Sequence, residues 1–229
     1  MKKYLYILLF AVIALSLTSC GVIDRVIGGE KMIVKYEIEL TKVNPIEEAQ
    51  ADAKTRVPVL NDTLEKIRYS YEDELMQSMW FVDESGWEVT FTNKGDRPIM
   101  IDWDEVMYMD IDKMAHRVLS KKTKLSEKEE PQDASVIARR GTLSEELFPA
   151  DMYYQSSTGL INKRPMFPVE YGEAQRYKGK TFTLNIPLTV EGYTAQYEFV
   201  FTIKEVKQEV SATDPWRMYH TDRAIGINY

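Results

Sequence analysis

Residues 182–203, FTLNIPLTVEGYTAQYEFVFTI, decide the fold. Phe182, Leu184, Ile186, Leu188 and Val190 alternate with Thr183, Asn185, Pro187 and Thr189, and after Glu191-Gly192 the series Ala195, Tyr197, Phe199, Phe201 and Ile203 repeats the pattern. Successive side chains on a strand point to opposite faces, so a period of two marks a half-buried strand. Two such runs joined by a tight, glycine-bearing turn predict a long β-hairpin with one face in a core. Pro187 has no N–H to give to a ladder, which predicts that its strand lies at an edge or carries a bulge there.

The same period recurs upstream. Met32, Val34, Tyr36, Ile38 and Leu40 alternate with polar or charged residues and Ile33; Ile67, Tyr69 and Tyr71 follow, then a less regular apolar stretch from Met76 to Val82, then Trp87, Val89 and Phe91. Thr92-Asn93-Lys94-Gly95-Asp96-Arg97-Pro98 supplies turn residues between two alternating segments and predicts a second hairpin, continued by Ile99, Ile101 and Trp103. Residues 44–65 break the pattern; Ile46 to Lys54 is rich in helix formers and predicts one short surface helix. Ser120 to Asp133 is almost wholly polar and predicts a long solvated loop. Roughly seven to nine strands with at most minor helix predict an all-β fold, an antiparallel β-sandwich over residues 32–206. The tail 207–229 holds Trp216 and Tyr219, which predict docking on that body.

The first twenty residues carry an address. Lys2 and Lys3 precede an apolar run from Tyr4 to Leu15, then Ser16-Leu17-Thr18-Ser19 and Cys20, the sole cysteine in 229 residues. The run is shorter than the about 20 residues a membrane span needs and matches a secretory signal over residues 1–19. Leu17-Thr18-Ser19-Cys20 resembles the lipobox of bacterial lipoproteins. That resemblance implies a diacylglyceryl thioether on Cys20, cleavage before it, acylation of the new amino group and a lipidated tether over residues 20–31. Two or more acyl chains hold a protein stably on a membrane where one does not. Gly21 follows the cysteine where enteric lipoproteins kept in the inner membrane carry aspartate, so the resemblance favours the outer membrane, with the periplasmic or external face open.

The block from Thr92 to Asp104 also resembles a hairpin of uncharacterised bacterial envelope lipoproteins with an immunoglobulin-like sandwich, and the strands at Leu184–Leu188 and Tyr197–Phe201 fit the same outline. The resemblance covers roughly Ile67 to Val206. It implies an immunoglobulin-like β-sandwich and an envelope address, and brings no known activity or site residues. The Cys-Trp-Cys signature of antibody domains is missing, so only the architecture carries over.

Composition and motifs narrow the function. A net charge of −7, which becomes −9 once Lys2 and Lys3 leave with residues 1–19, argues against a general grip on nucleic acid. The sequence holds no Gly-x-Ser-x-Gly, His-Glu-x-x-His, phosphate-cradling loop or dinucleotide fingerprint, and calls for no cofactor. His116 and His220 are its two histidines, the material for at most a dispersed hydrolytic site. Asp102 and Asp104, with Glu105, Asp110 and Asp112, raise the question of a calcium site, but the spacing departs from the EF-hand loop and a solvated strand face is the commoner use. Trp80, Tyr153 and Tyr154, with Met79 and Phe81, are candidates for an exposed stacking patch, against the commoner use of aromatics as core. Asp62-Thr63-Leu64 resembles a short envelope O-glycosylation motif. The expectation is a non-catalytic, lipid-anchored envelope protein that contacts the membrane through its anchor and another envelope protein or glycan through its body. The alternatives are a surface carbohydrate-binding module and, behind it, a hydrolase.

Overall fold

The computed structural model describes residues 32–45, 54–61, 66–155 and 161–210. Their strands are β1 (Met32–Pro45), β2 (Lys54–Asn61), β3 (Lys66–Glu72), β4 (Met76–Asp83), β5 (Gly86–Asn93), β6 (Ile99–Ile101), β7 (Met107–Met109), β8 (Ala115–Ser120), β9 (Ser135–Ile137), β10 (Thr142–Pro149), β11 (Tyr153–Gln155), β12 (Ile161–Lys163), β13 (Thr181–Val190) and β14 (Tyr193–Val210), with one short helix, α1 (Tyr171–Ala174). Twelve strands form one antiparallel sheet in the order β1-β14-β13-β7-β8-β10-β5-β4-β3-β2; β6 adds to β13 and β9 to β6, while β11 and β12 pair only with each other. The expected all-β antiparallel fold is present. Its two facing layers are continuous through β8, which pairs with β7 on one side and β10 on the other. β1 returns to lie alongside β3 and β4, so the path nearly closes.

The β13–β14 hairpin runs from Thr181↔Thr202 to Val190↔Tyr193. Its turn has φ of +51° at Glu191 and +85° at Gly192. Two consecutive positive φ values match the twist of the flanking strands, and glycine takes the second without strain. Pro187 lies in an interior strand, contrary to the simplest form of the edge rule. β13's second neighbour is interrupted there: β7 pairs over Thr183–Asn185, β6 only at Thr189, and the chain between them leaves the sheet as a 3₁₀ turn, Trp103–Glu105. A residue without an N–H stands opposite the gap.

β1 and β14 are longer than their clean alternation because register shifts interrupt both. One falls between Glu37 and Ile38, passing over Lys204, and one between Leu40 and Lys42, passing over Thr41. Each extra residue flips the pattern by one, so Val43 follows Leu40 into the core and Val206 follows Ile203. β2 occupies a stretch in which the sequence shows no strand period. The expected helix at Ile46–Lys54 lies outside the described residues except for Lys54, which opens β2. Cys20, Asp62-Thr63-Leu64, Trp216, Tyr219 and His220 also lie outside them.

The second expected hairpin is corrected by the structure. β5 pairs with β4 and β10, whereas β6 pairs with β9 and β13, so residues 93–98 form a corner carrying the chain from one layer to the other. Turn-forming residues say that the chain bends, and pairing is decided elsewhere. Asn93, fully buried, builds this corner: its Nδ2 donates to the carbonyls of Arg97 (2.7 Å), Ala138 (3.2 Å) and Ile137 (3.3 Å), and its Oδ1 accepts from the Gly95 N–H (2.8 Å). The real hairpin is β4–β5, closed by Glu84-Ser85 before Gly86, where φ is +141° and an added Cβ would meet the Leu147 carbonyl oxygen at 2.2 Å.

Substituting Asn93→Ala strips partners from several buried backbone groups at once. Each such group costs about 1–3 kcal/mol when left unsatisfied, so urea unfolding should show a loss of at least about 2 kcal/mol.

Candidate functional site

The aromatic candidates separate once side chains are placed. Trp80 is fully enclosed, and Tyr153 is buried in a small cluster with Leu119, Phe148 and Met152; neither offers a face to a ligand, which corrects the reading of both as exposed. The cause is the period of two: Met76, Ser78, Trp80 and Val82 point inward, Met79 and Phe81 outward. Tyr154 is exposed at 38%, with the Arg164 guanidinium 4.4 Å from its ring centroid.

The outer face of β3, β5 and β10, with the end of β8, forms an open trough of about 400 Å³ lined by Arg68, Glu88, Thr90, Lys121, Ser144 and Glu146 among others. Glu88 and Glu146 stand directly opposite in the β5–β10 register, where like charges repel. Cations at the two flanks offset this. Arg68 reaches Glu88 at 3.1 Å and Lys121 reaches Glu146 at 2.7 Å. Thr90 and Ser144 hydroxyls bond to each other at 3.0 Å, and at the rim the buried Glu145 accepts from the Ser120 hydroxyl at 2.9 Å and pairs with Lys122. Balanced charge and paired hydroxyls suit contact with a polar surface. The Lys121-Lys122 and Glu145-Glu146 doublets are visible in the sequence, but nothing local shows that the β5–β10 register sets Glu146 beside Glu88, 58 residues away.

Asp102 and Asp104, considered for calcium, have other work. Asp102 caps the 3₁₀ turn by accepting from the Asp104 N–H at 3.0 Å. Asp104 binds Arg117 at 2.6 Å and the Gln132 N–H at 3.2 Å. Burial alone would raise its pKa, but these bonds hold the carboxyl below its ordinary value. Among the described residues no three His, Cys, Asp or Glu side chains gather as a metal site. The neighbouring polar loop is exposed, as expected, yet Gln132 fastens it: its side chain donates to the carbonyls of Val118 (2.8 Å) and Trp103 (3.2 Å) and accepts from the Ser120 N–H (3.0 Å).

His116 lies between two carboxylates, with Nδ1 2.7 Å from Asp151 and Nε2 3.0 Å from Asp110. Burial alone would lower its pKa; the hydrogen bonds and charges of Asp110 and Asp151 outweigh burial and raise it. Both ring nitrogens are engaged, which suits an imidazolium bridge and leaves no nitrogen for activating a nucleophile. The carboxylates sit at opposite ends of the ring, so the three groups cannot converge on one cation.

Glu84, at the β4–β5 turn, is 5% exposed. Burial, aided by the Asp83 charge, pushes its carboxyl above its ordinary value against the opposing pull of a backbone hydrogen bond and Lys35. No family model, curated protein or solved structure matches the chain.

A carboxyl whose pKa is raised by folding binds its proton more tightly in the native state, so its contribution to stability falls as pH rises from the ordinary carboxylate range through the native pKa. Glu84→Gln removes that loss. Thermal melts should show the variant more stable than the parent at about pH 7, with the gap closing as both forms are taken to about pH 3.

Proposed function

We propose that this chain is a lipid-anchored protein of the bacterial cell envelope, held on the outer membrane through Cys20, whose β-sandwich acts as a non-catalytic binding or accessory unit for another envelope component. The observation that carries the reading is the Lys2-Lys3 start, the short apolar run and Leu17-Thr18-Ser19-Cys20, with no second cysteine in the chain to give Cys20 a disulfide partner. Support for binding over catalysis comes from the site chemistry: His116 has both nitrogens on carboxylates, and the trough's hydroxyls bond each other. The trough, with its alternating charges and hydroxyls, is the surface we assign to a protein partner. A glycan partner is the second reading, resting on Tyr154 beside Arg164; binding on a glycan array that disappears with Tyr154→Ala would replace the first with it.

Cells grown with an alkyne-tagged fatty acid should yield tagged parent protein in the membrane fraction, and Cys20→Ala should lose the tag and stay unprocessed. An untagged, water-soluble parent would remove the anchor. Charge reversal at Lys121 and Glu146 together should abolish crosslinks to neighbouring envelope proteins in intact cells while leaving the melting temperature within a few degrees of the parent.

A further inference from the structure

Among the described residues, the β11–β12 hairpin is a separate two-stranded unit with no ladder to the main sheet. Several contacts attach it to the described body, among them Lys163 Nζ at 5.4 Å from the Phe148 ring centroid and the Phe148 and Tyr153 rings 4.5 Å apart. Tyr153 and Met152 pack on Leu119 and Phe148, Lys128 Nζ reaches the Tyr153 carbonyl at 3.5 Å, and the 3₁₀ turn Ala150–Met152, which leads into β11, contributes Asp151 to His116. We propose that His116 is a protonation-dependent pin, which docks this hairpin on the sheet as imidazolium and releases it as neutral imidazole.

An imidazolium has two N–H groups and can donate to Asp110 and Asp151 together; neutral imidazole has one, and its second nitrogen presents a lone pair to a carboxylate. The two carboxylates are not equally free to leave. Asp110 is fixed by its own turn, where its Oδ1 accepts from the N–H groups of Asp112 (2.9 Å) and Met114 (2.8 Å), while the Asp151 side chain is 60% exposed and can turn to water. Loss of the proton therefore keeps Nε2–H on Asp110 and sets Asp151 free.

The groups facing the ring come from each element around it. Asp110 lies on the β7–β8 turn, Asp151 on the 3₁₀ turn, and Tyr108 of β7 has its ring 5.3 Å from the imidazole. Tyr177, in the turn after α1, feels the charges of Asp112, Glu173 and Asp110 and in turn acts on Tyr108. Burial, together with these acids, raises both tyrosines, which removes them from titration near neutrality and leaves His116 as the group that changes. Bonds that raise the histidine pKa in the docked form give stability that is complete at lower pH and lost as pH rises through that value.

The test uses the full-length chain over about pH 5.5–8.5, the range in which histidine titrates. His116 is followed by NMR, and amide exchange at Met152, Tyr153 and Tyr154 is measured with correction for intrinsic rates. Protection of these amides should fall several-fold as pH rises, with the midpoint of the His116 titration, while amides of β13 and β14 stay constant. Asp151→Asn, at an exposed position, should remove the step and lower the His116 midpoint, because the amide can accept from or donate to either form of the ring. Protection that is flat with pH in the parent, or a step that survives in Asp151→Asn, would overturn the proposal.

Discussion

The structure depends on a set of rings locked between its two layers. Trp80 of β4 lies 4.5 Å from Phe199 and 5.6 Å from Phe201, both on β14 of the facing layer, and 5.7 Å from Phe91 of its own layer. Most of these rings meet edge to face or tilted, the geometry their quadrupoles favour. The Trp80 indole N–H donates to the Ser78 hydroxyl at 2.9 Å, so this side chain enters the core without an unpaired donor. The contacts extend along the interior through Trp87, Tyr108, Phe182 and Phe167 to Tyr36.

That interior explains where polar chemistry is allowed to stand. Strands whose inward faces are committed to rings must turn their alternate residues outward, which places Arg68, Glu88, Thr90, Ser144 and Glu146 on one solvent face. Two core tyrosines bring their hydroxyls to an acid at the rim: Tyr197 and Tyr71 both donate to Asp73, at 2.7 and 3.1 Å, and Asp73 also holds the Leu75 and Met76 N–H groups of the β3–β4 turn. Burial first, and the Asp73 charge second, push both hydroxyls far above their ordinary range, so they stay protonated donors.

Much of the fold was legible in the residues because alternation is a local signal. β13, β14, the start of β1, β3 and β5 stand where their period of two places them, and the Glu191-Gly192 turn follows from its backbone requirement. What escaped is set by distant partners. Asn93-Lys94-Gly95-Asp96 announced a bend, yet Asn93 serves carbonyls 44 and 45 residues away and makes the bend a corner between layers. Trp80 sits in a stretch whose period is blurred by Met79 and Phe81, so its inward direction could not be separated from theirs. The trough is built by the β5–β10 register and the His116 bridge by a turn 35 residues on, and neither has a sequence motif.

The most direct test of this account is equilibrium unfolding of Trp80→Ala. If Trp80 joins the two layers from inside, the variant should lose about 3–5 kcal/mol, the range for removing a large aromatic from a packed core. A loss below about 1 kcal/mol, as for a surface residue, would mean that Trp80 lies outside the core, and the description of the body as two layers closed on their own aromatic residues would be wrong.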